Sequence, residues 1–372
     1  MPVLYRKYRP KTFSEVIGQE HVVKTLTNAI LMGMISHAYL FYGPRGTGKT
    51  TIARLLAKTL NCTNRKKTEF EPCNKCISCL ENNGGRAIDL IEIDAASNRG
   101  IDEMRDLRES IAIVPTKSKY KVYVIDEAHQ LTKEASNALL KTLEEPPSHA
   151  IFILCTTEFS KILPTISSRC QRFEFRKLNL EQIVKRLEIL ANKEKVKIKK
   201  EALELIARTA EGSVRDSESL LDEVIVTSPS RSAVIGEKEV EEILGIVDIR
   251  VVSNLVAFLA KREKKESMEY LSQLLSGGVD IDNLAKRLTG YIRDLLLVKI
   301  NPQIFRSGVV FTKEEEENLK KQEKEFSEEQ LKNLVRIFVD AQNQIKWSDL
   351  PQLPLELALL DSMDILEQRV IQ

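Results

Sequence analysis

No apolar run in the chain approaches the ~20 residues that a membrane-spanning helix needs. The first nine residues, Met1 to Arg9, contain no apolar stretch of the kind that marks a secretory signal. A membrane-embedded protein and an exported one are therefore not expected, and the cytoplasm is the expected compartment. Excess charge is also missing: 56 basic side chains against 54 acidic ones leave +2. Bulk charge therefore does not announce a nucleic-acid binder, although a local basic patch remains compatible with this balance. There is no short-period repeat and no long disordered linker. Cysteines number only six, and in a reducing compartment they argue for metal or free thiols over disulfides.

What is present is a chain of 372 residues, 42% hydrophobic and 30% charged, a soluble globular composition long enough for two or three domains. Its first half alternates apolar runs with amphipathic segments. AYLFYG (38–43), IDLIEID (88–94), KVYVID (121–126) and AIFILCTT (150–157) read as buried strands, and the alternating QRFEF as a fifth. A helix is expected after the first of these at 50–60, another at about 101–112, and a third in TKEASNALLKTLEE, capped by Thr132 and stopped by Pro146-Pro147. Continuous apolar strands separated by helices imply a parallel sheet covered on both faces. After Leu178 the strand signal disappears. Short helices are expected over 180–226, and an all-helical part after 243. The charged stretch 312–326 reads as a solvated helix. Ser327 and Gln330 form a capping box ahead of a stripe of Leu331, Leu334, Val335, Phe338, Ala341 and Ile345, a face that could pack on a neighbouring subunit. Pro354 is expected to start the last helix.

GPRGTGKTT, running from Gly43 through Pro44, Arg45, Gly46, Thr47, Gly48, Lys49 and Thr50 to Thr51, matches the phosphate-loop pattern and lies between a strand and a helix, where that pattern works. The glycines let backbone N–H groups turn toward phosphate, and the helix N-terminus adds partial positive charge. Lys49 can reach the β- and γ-phosphates and the Thr50 hydroxyl can ligate Mg²⁺. VYVIDEAH supplies the matching carboxylates: Asp126 for the metal and Glu127 to polarise an attacking water. Asp-Glu-Ala-His also occurs in helicases, but those carry a second motor core, and this chain has no second sheet for one. Thr157, on the strand beside that of Asp126, is placed to touch the water or the γ-phosphate.

Cys62, Cys73, Cys76 and Cys79 can close a tetrahedral thiolate shell, which suits a structural Zn²⁺ best; the three-cysteine run alone would also fit an iron–sulfur cluster. Removing the metal is expected to loosen 61–86 and to leave the phosphate site intact. Cys155 reads as a core residue. Arg169 stands before the fifth strand, either as a surface charge or as a finger for a neighbour's γ-phosphate. Ser213 and Asp216 read as a capping box that puts Arg215 in a first helical turn, where a cation opposes the helix dipole unless a phosphate lies in front.

YRPKTFSEVIGQEHV, GPRGTGKT, the four cysteines, LIEIDAAS, VYVIDEAHQLT, NALLKTLEEPP, ISSRC and GSVRDSESLLDE together resemble the gamma/tau family of bacterial DNA polymerase III, the ATPases of sliding-clamp loaders. The resemblance is strongest over residues 3–225. It implies an AAA+ core at 1–178 with a zinc module at 61–86, a helical lid at 179–242 and a helical collar at 243–372. It further implies ATP, Mg²⁺ and Zn²⁺ as ligands. Lys49 and Thr50 would then serve the phosphate loop, Asp126 and Glu127 metal and water, Thr157 the first sensor, Arg169 the trans-acting finger and Arg215 the second sensor. Tyr8, Arg9, Pro10, Val16 and Ile17 would line the adenine pocket. The implied partners are delta and delta-prime subunits and further gamma/tau copies in a pentamer, the sliding clamp (beta), and primer-template DNA, for which Arg99, Arg105, Lys141 and Thr165 are the candidate contacts. The longer tau form carries extra domains, whose contacts are not expected in a chain ending at Gln372. Two other functions compete: a nucleotide-free structural subunit similar to delta-prime, and a hexameric DNA-translocating AAA+ motor. The intact Lys49-Thr50 and Asp126-Glu127 pairs argue against the first, and the cysteine cluster against the second.

Overall fold

The apolar runs of the first half become β1 (Ala38–Tyr42), β2 (Leu90–Asp94), β3 (Lys121–Asp126), β4 (Ala150–Thr156) and β5 (Gln171–Glu174). They form one sheet in the order β2-β3-β4-β1-β5, and every neighbouring pair is parallel. The computed structural model describes residues 3–97, 110–111, 113–228, 234–301 and 313–368. The helix expected at about 101–112 therefore lies, but for Ser110 and Ile111, outside the described residues, as do Arg99 and Arg105.

Alternate side chains of each strand go to opposite faces, and both faces are buried. One face carries Tyr39, Phe41, Val124, Ile153 and Cys155 under α1 (Glu20–Met32) and α2 (Lys49–Leu60). The other carries Leu40, Tyr123, Ile125, Phe152 and Leu154. Each fully buried side chain of this size contributes roughly 1.5–3 kcal/mol. Aromatic rings fill both layers: Phe41 meets Phe173 edge-on at 5.6 Å, and Tyr123 stacks on Phe152 at 5.2 Å. Between β1 and β2 the chain also forms α3 (Ile77–Asn83). The second face is closed by α4 (Lys133–Glu144), through Leu139 and Leu143; Thr132 caps it by accepting the Ala135 N–H.

The parallel register places Tyr42 beside Thr156, Leu154 beside Ile125, and Asp94 beside Asp126, so the C-terminal ends of four strands share one edge. In such sheets that edge is where ligands bind. Above it follow α5 (Leu180–Glu194), α6 (Lys200–Thr209) and α7 (Val214–Thr227). The one pairing past Leu178 among the described residues is a single bridge, Ile198 with Ile235.

Contacts divide the chain into two units, residues 1–237 and 238–372; this division and the expected 242/243 boundary both fall within the helix Glu237–Leu244. The second unit contains α8 (Ile249–Lys261), α9 (Lys264–Ser276), α10 (Ile281–Ile300), α11 (Lys313–Gln322), α12 (Glu328–Ile345) and α13 (Leu353–Gln368). Two expectations change in it. The stripe on α12 is covered within the unit: Leu331, Leu334, Phe338, Ala341 and Ile345 are buried in a core shared with α10 and α13, so no neighbouring subunit is needed to cover it. The charged stretch is not one solvated helix. Its helix stops at Gln322, a 3-10 turn Glu323–Glu325 follows, and Leu319 and Phe326 anchor it in the core. Trp347, just past α12, is 89% exposed. No single helix among the described residues is long and apolar enough to cross a membrane.

Candidate functional site

Strand β1 runs straight into the loop Gly43–Gly48, which opens α2. Gly48 is its N-cap with φ +99°, a left-handed conformation that side chains disfavour. As the first residues of α2, Lys49, Thr50 and Thr51 have N–H groups with no acceptor inside the helix, a site suited to anions. Gly46 has a second reason to lack a side chain: a Cβ would lie 1.9 Å from Ser213 Oγ at the start of α7. The Gly46 carbonyl accepts the Val214 N–H at 3.1 Å and is 3.4 Å from the Arg215 N–H. The lid is thus hydrogen-bonded directly to the loop.

The Lys49 ammonium is buried and donates to the Gly43 and Pro44 carbonyls at 2.7 and 2.8 Å. Burial pushes its pKa below the usual lysine value, while Cys155, Glu127 and Asp126 act in the opposite direction. The Thr50 hydroxyl donates to Asp126 Oδ2 at 2.8 Å, which puts both expected Mg²⁺ ligands side by side. Glu127 has φ +47°, which turns its carboxylate away from the strand direction, and the Thr157 hydroxyl donates to Glu127 Oε2 at 3.0 Å. β4 lies between the strands that carry the phosphate loop and Asp126, so the sheet order itself places Thr157 there.

A cleft of about 1090 Å³ between core and lid is lined by Arg45 to Thr51, Asp126, Glu127, Thr157 and Arg215, and on its other side by Arg9, Pro10, Val16 and Ile17. Three residues expected at the nucleotide, Tyr8, Gly43 and Pro44, do not line this cleft. Tyr8 is not on the wall; its carbonyl accepts from Arg186 at 2.7 Å and its ring lies under Lys7 and Lys193. Gly43 and Pro44 give carbonyls to Lys49 and do not line the cleft. Arg169 is also outside it, held on the surface by Glu144 at 2.7 Å and by the Thr165 carbonyl at 2.8 Å. The helix that carries Arg215, α7, has half a capping box only. Ser213 Oγ accepts the Asp216 N–H, but the Ser213 N–H is already bonded to the Ala210 carbonyl, so the Asp216 side chain has no donor to reach for. Arg215 instead lies over the Tyr5 ring, 4.8 Å from its centroid, and with Arg6 it holds the Tyr5 pKa below the usual tyrosine value. Lys141 and Thr165 are exposed.

Sequence reasoning missed two buried polar devices, one behind this cleft and one on its wall. Gln19, wholly buried, donates to the Arg176 carbonyl at 2.7 Å and accepts the Arg176 N–H at 3.2 Å, tying the chain after the base-side segment to the entrance of the lid. Arg186 and Glu218, both buried, pair at 2.7 Å across α5 and α7. Burial raises the Glu218 pKa and Arg186 works against that rise. The signal was available: Arg186 lies in register with Ile183 and Leu190, and Glu218 with Leu221 and Ile225, opposite charges on two apolar stripes.

The four cysteines of the inserted module converge. Their sulfurs all lie within 4.8 Å of one another, with Cys62–Cys76 and Cys73–Cys79 each at 3.9 Å. That is close to the ~3.8 Å edge of a tetrahedron with 2.3 Å metal–sulfur bonds. The N–H groups of Lys75 and Cys76 point at Cys73 Sγ, at 3.4 and 3.3 Å. Against opposing burial, these bonds lower the Cys73 pKa, and bonds from Thr63 and Cys79 hold Cys76 at about 6. Two thiols held below the usual cysteine range beside two that burial pushes up, Cys62 and Cys79, make a donor set that a soft divalent cation would complete. Cys155 and Cys170 stand apart and are buried.

Three family descriptions match the chain: DNA polymerase III, delta subunit, over residues 18–179; DNA polymerase III clamp loader subunit, ATPase lid domain, over 182–229; and DNA polymerase III subunits gamma and tau domain III over 235–368. The tau subunit of Bacillus subtilis is 41% identical over 357 residues, 96% of this chain and 62% of that one. The tau subunit of Escherichia coli is 42% identical over 300 residues, 81% of this chain and 46% of that one. The gamma subunit of Buchnera aphidicola from Schizaphis graminum is 37% identical over 361 residues, 97% of this chain and 98% of its own length. The chain thus spans about half the length of the tau relatives and nearly all of the gamma relative.

Proposed function

The chain belongs to the gamma/tau family of DNA polymerase III subunits, with an AAA+ core, a lid and a helical domain III, and on that premise we propose that it is an ATP-hydrolysing subunit of a sliding-clamp loader. It would use ATP to open the clamp and close it around primer-template DNA, within a pentamer that includes delta and delta-prime subunits. The observation that carries this reading is the paired contact at the strand edge, Thr50 with Asp126 and Thr157 with Glu127.

The chemistry follows from those positions. The loop N–H groups and Lys49 bind the β- and γ-phosphates, and Lys49 exchanges loop carbonyls for phosphate oxygens. Thr50 and Asp126 would hold Mg²⁺, which when bound would supply positive charge against developing phosphate charge. Glu127 accepts the proton of the attacking water, and Thr157 fixes the orientation of that carboxylate. Arg215 brings the lid's charge to the phosphates, so lid position depends on the nucleotide. Val16 and Ile17 provide an apolar wall for the base. The four cysteines hold one Zn²⁺. The core, lid and collar are assigned to 1–178, 179–242 and 243–372.

Arg169 supports the coupling between ATP and assembly. It lies on the surface of its own core, bonded to Glu144 and the Thr165 carbonyl, and is absent from its own cleft, as a residue completing a neighbour's site must be. Its planar fork can bind two phosphate oxygens, and a trans finger contributes on the order of 10³-fold or more in rate. The test mixes Arg169→Ala chains with Lys49→Ala chains in the reconstituted loader. Each variant alone is expected to be nearly inactive, Arg169→Ala still binding ATP as an isolated subunit. Mixed assemblies recover activity wherever an intact loop meets a neighbour's intact Arg169. Mixed complexes that form and stay inactive would show that Arg169 acts within its own subunit. A six-fold mass for the assembly would overturn the loader reading itself.

A further inference from the structure

The cysteine module grips the segment that walls the base side of the nucleotide cleft. Residues 9–17 run between the two: Arg9, Pro10, Lys11, Glu15, Val16 and Ile17 face the cleft. On the other side, both oxygens of Glu71 accept backbone N–H groups of that segment, from Phe13 and Ser14, each at 2.8 Å. Asn74 Nδ2 donates to the Lys11 carbonyl at 3.1 Å. The same carbonyl accepts from Lys58 Nζ at 2.7 Å. Lys58, 3% exposed on α2, also donates to Asn74 Oδ1 at 2.8 Å and Asn83 Oδ1 at 2.9 Å, so it bonds the segment and the module together.

These contacts are set by the cysteines. Glu71 is two residues before Cys73, and Asn74 directly follows it with φ +55°. That left-handed turn aims the Lys75 and Cys76 N–H groups at Cys73 sulfur and the Asn74 side chain at Lys11. Apart from α3, residues 61–86 contain no helix or strand. Ordering such a stretch costs roughly 1–2 kcal/mol per residue, and a four-thiolate metal site is an interaction of the size needed to offset much of that cost.

We propose that the metal module is a positioning brace for nucleotide binding: metal occupancy fixes Glu71 and Asn74, these fix residues 11–14, and the base wall at Val16 and Ile17 is thereby pre-formed. Glu71 is the positioning residue at its centre. The proposal rests on the nucleotide and zinc readings above. It keeps the expectation that metal loss leaves the phosphate site intact, since Lys49, Thr50 and Asp126 make no bond to the module, and adds that the base half loosens. Coupling is reciprocal, so bound ATP must also retain the metal.

The test compares two probes on the full chain, ATP and inorganic tripolyphosphate, with Mg²⁺ present, before and after treatment with a zinc-selective chelator. Zinc removal is expected to weaken ATP binding by about 5-fold or more and to leave tripolyphosphate affinity unchanged, since tripolyphosphate lacks the base. Glu71→Gln, still carrying one zinc by elemental analysis, is expected to show the weakened ATP affinity from the start and no further loss on chelation. ATP should slow zinc release from the wild type and not from Glu71→Gln. Unchanged ATP affinity after chelation overturns the proposal, and so does an equal loss for both probes, which means general disordering. The wild-type arms decide the question even if Glu71→Gln loses its metal. A wild type that binds neither probe instead overturns the nucleotide reading, and one without zinc overturns the metal reading; the brace falls with either.

Discussion

The two units of the chain bury different chemistry. The buried polar side chains of residues 3–237 include Lys49, Lys58, Lys121, Asp89, Arg186 and Glu218; those described in 238–368 are Ser267 and Ser362. A buried charge is costly unless it is paired or hydrogen-bonded; in the first unit Arg186 and Glu218 pair with each other, and Lys49, Lys58, Lys121 and Asp89 are hydrogen-bonded. Lys49 and the Arg186–Glu218 pair border the cleft, and Lys58 joins the module to the base-side segment. Asp89 is structural, accepting three backbone N–H groups from Thr116, Lys117 and Ser118. The second unit is filled by Leu, Ile, Val and Phe from its helices. The contrast teaches where this molecule keeps its costly interactions: where a charged ligand has to be met or two parts held in register. A scaffold of stacked helices can be stable on apolar packing alone.

The sharpest test of this contrast is at Glu127. Glu127→Gln keeps the metal-side contact of Thr50 with Asp126 and removes only a proton acceptor. Hydrolysis in the assembled loader should fall by about 10²–10⁴-fold, with ATP affinity close to that of the wild type. Lost ATP binding would mean that Glu127 is a ligand and not a base. Next in size is Arg186→Ala, which strands a buried Glu218 carboxylate and should lower unfolding stability in urea by about 3 kcal/mol. Arg186→Met combined with Glu218→Leu should recover most of that loss. A single substitution costing under about 1 kcal/mol would show that the pair is already solvated, and the contrast between units would weaken.

The smallest effect lies in the second unit and tries to break the comparison. Asp294 on α10 is an acid of that unit whose pKa burial pushes up, to about 6, against the opposing pull of Arg293 and Arg287. An acid with a raised folded pKa contributes most stability below its unfolded pKa of about 3.9 and loses that contribution as pH rises through the folded value. Asp294→Asn should therefore raise the melting temperature modestly at pH 7.5 and leave it nearly unchanged at pH 4. A variant less stable than the wild type at pH 7.5 would reveal a needed charge in the unit that otherwise buries none.

Much of the site was legible because its signals are linear. The phosphate loop and the cysteine set are fixed by spacing, and the parallel sheet follows from apolar runs separated by helices. What remained hidden depends on facing. Tyr8 sits among cleft residues in sequence, but the short helix Leu4–Lys7 turns it toward the lid and brings Tyr5 to Arg215 instead. The capping box at Ser213 was half right because a side-chain pattern cannot show that the Ala210 carbonyl has already taken the Ser213 N–H. The α12 stripe announced burial without naming its partner, and α10 and α13 of the same unit supply it. Lys58 carries no sequence signal at all: only the fold shows three acceptors around one amine.

Trp347 is the chain's single tryptophan, and its indole stands in water. Its fluorescence therefore starts at the red limit of emission. Unfolding has little further solvent to add, so it will be almost silent at this wavelength. Anything that covers the corner between α12 and α13 can move the band in one direction only, to the blue. The protein thus carries a built-in optical gauge that ignores its own folding and responds to company.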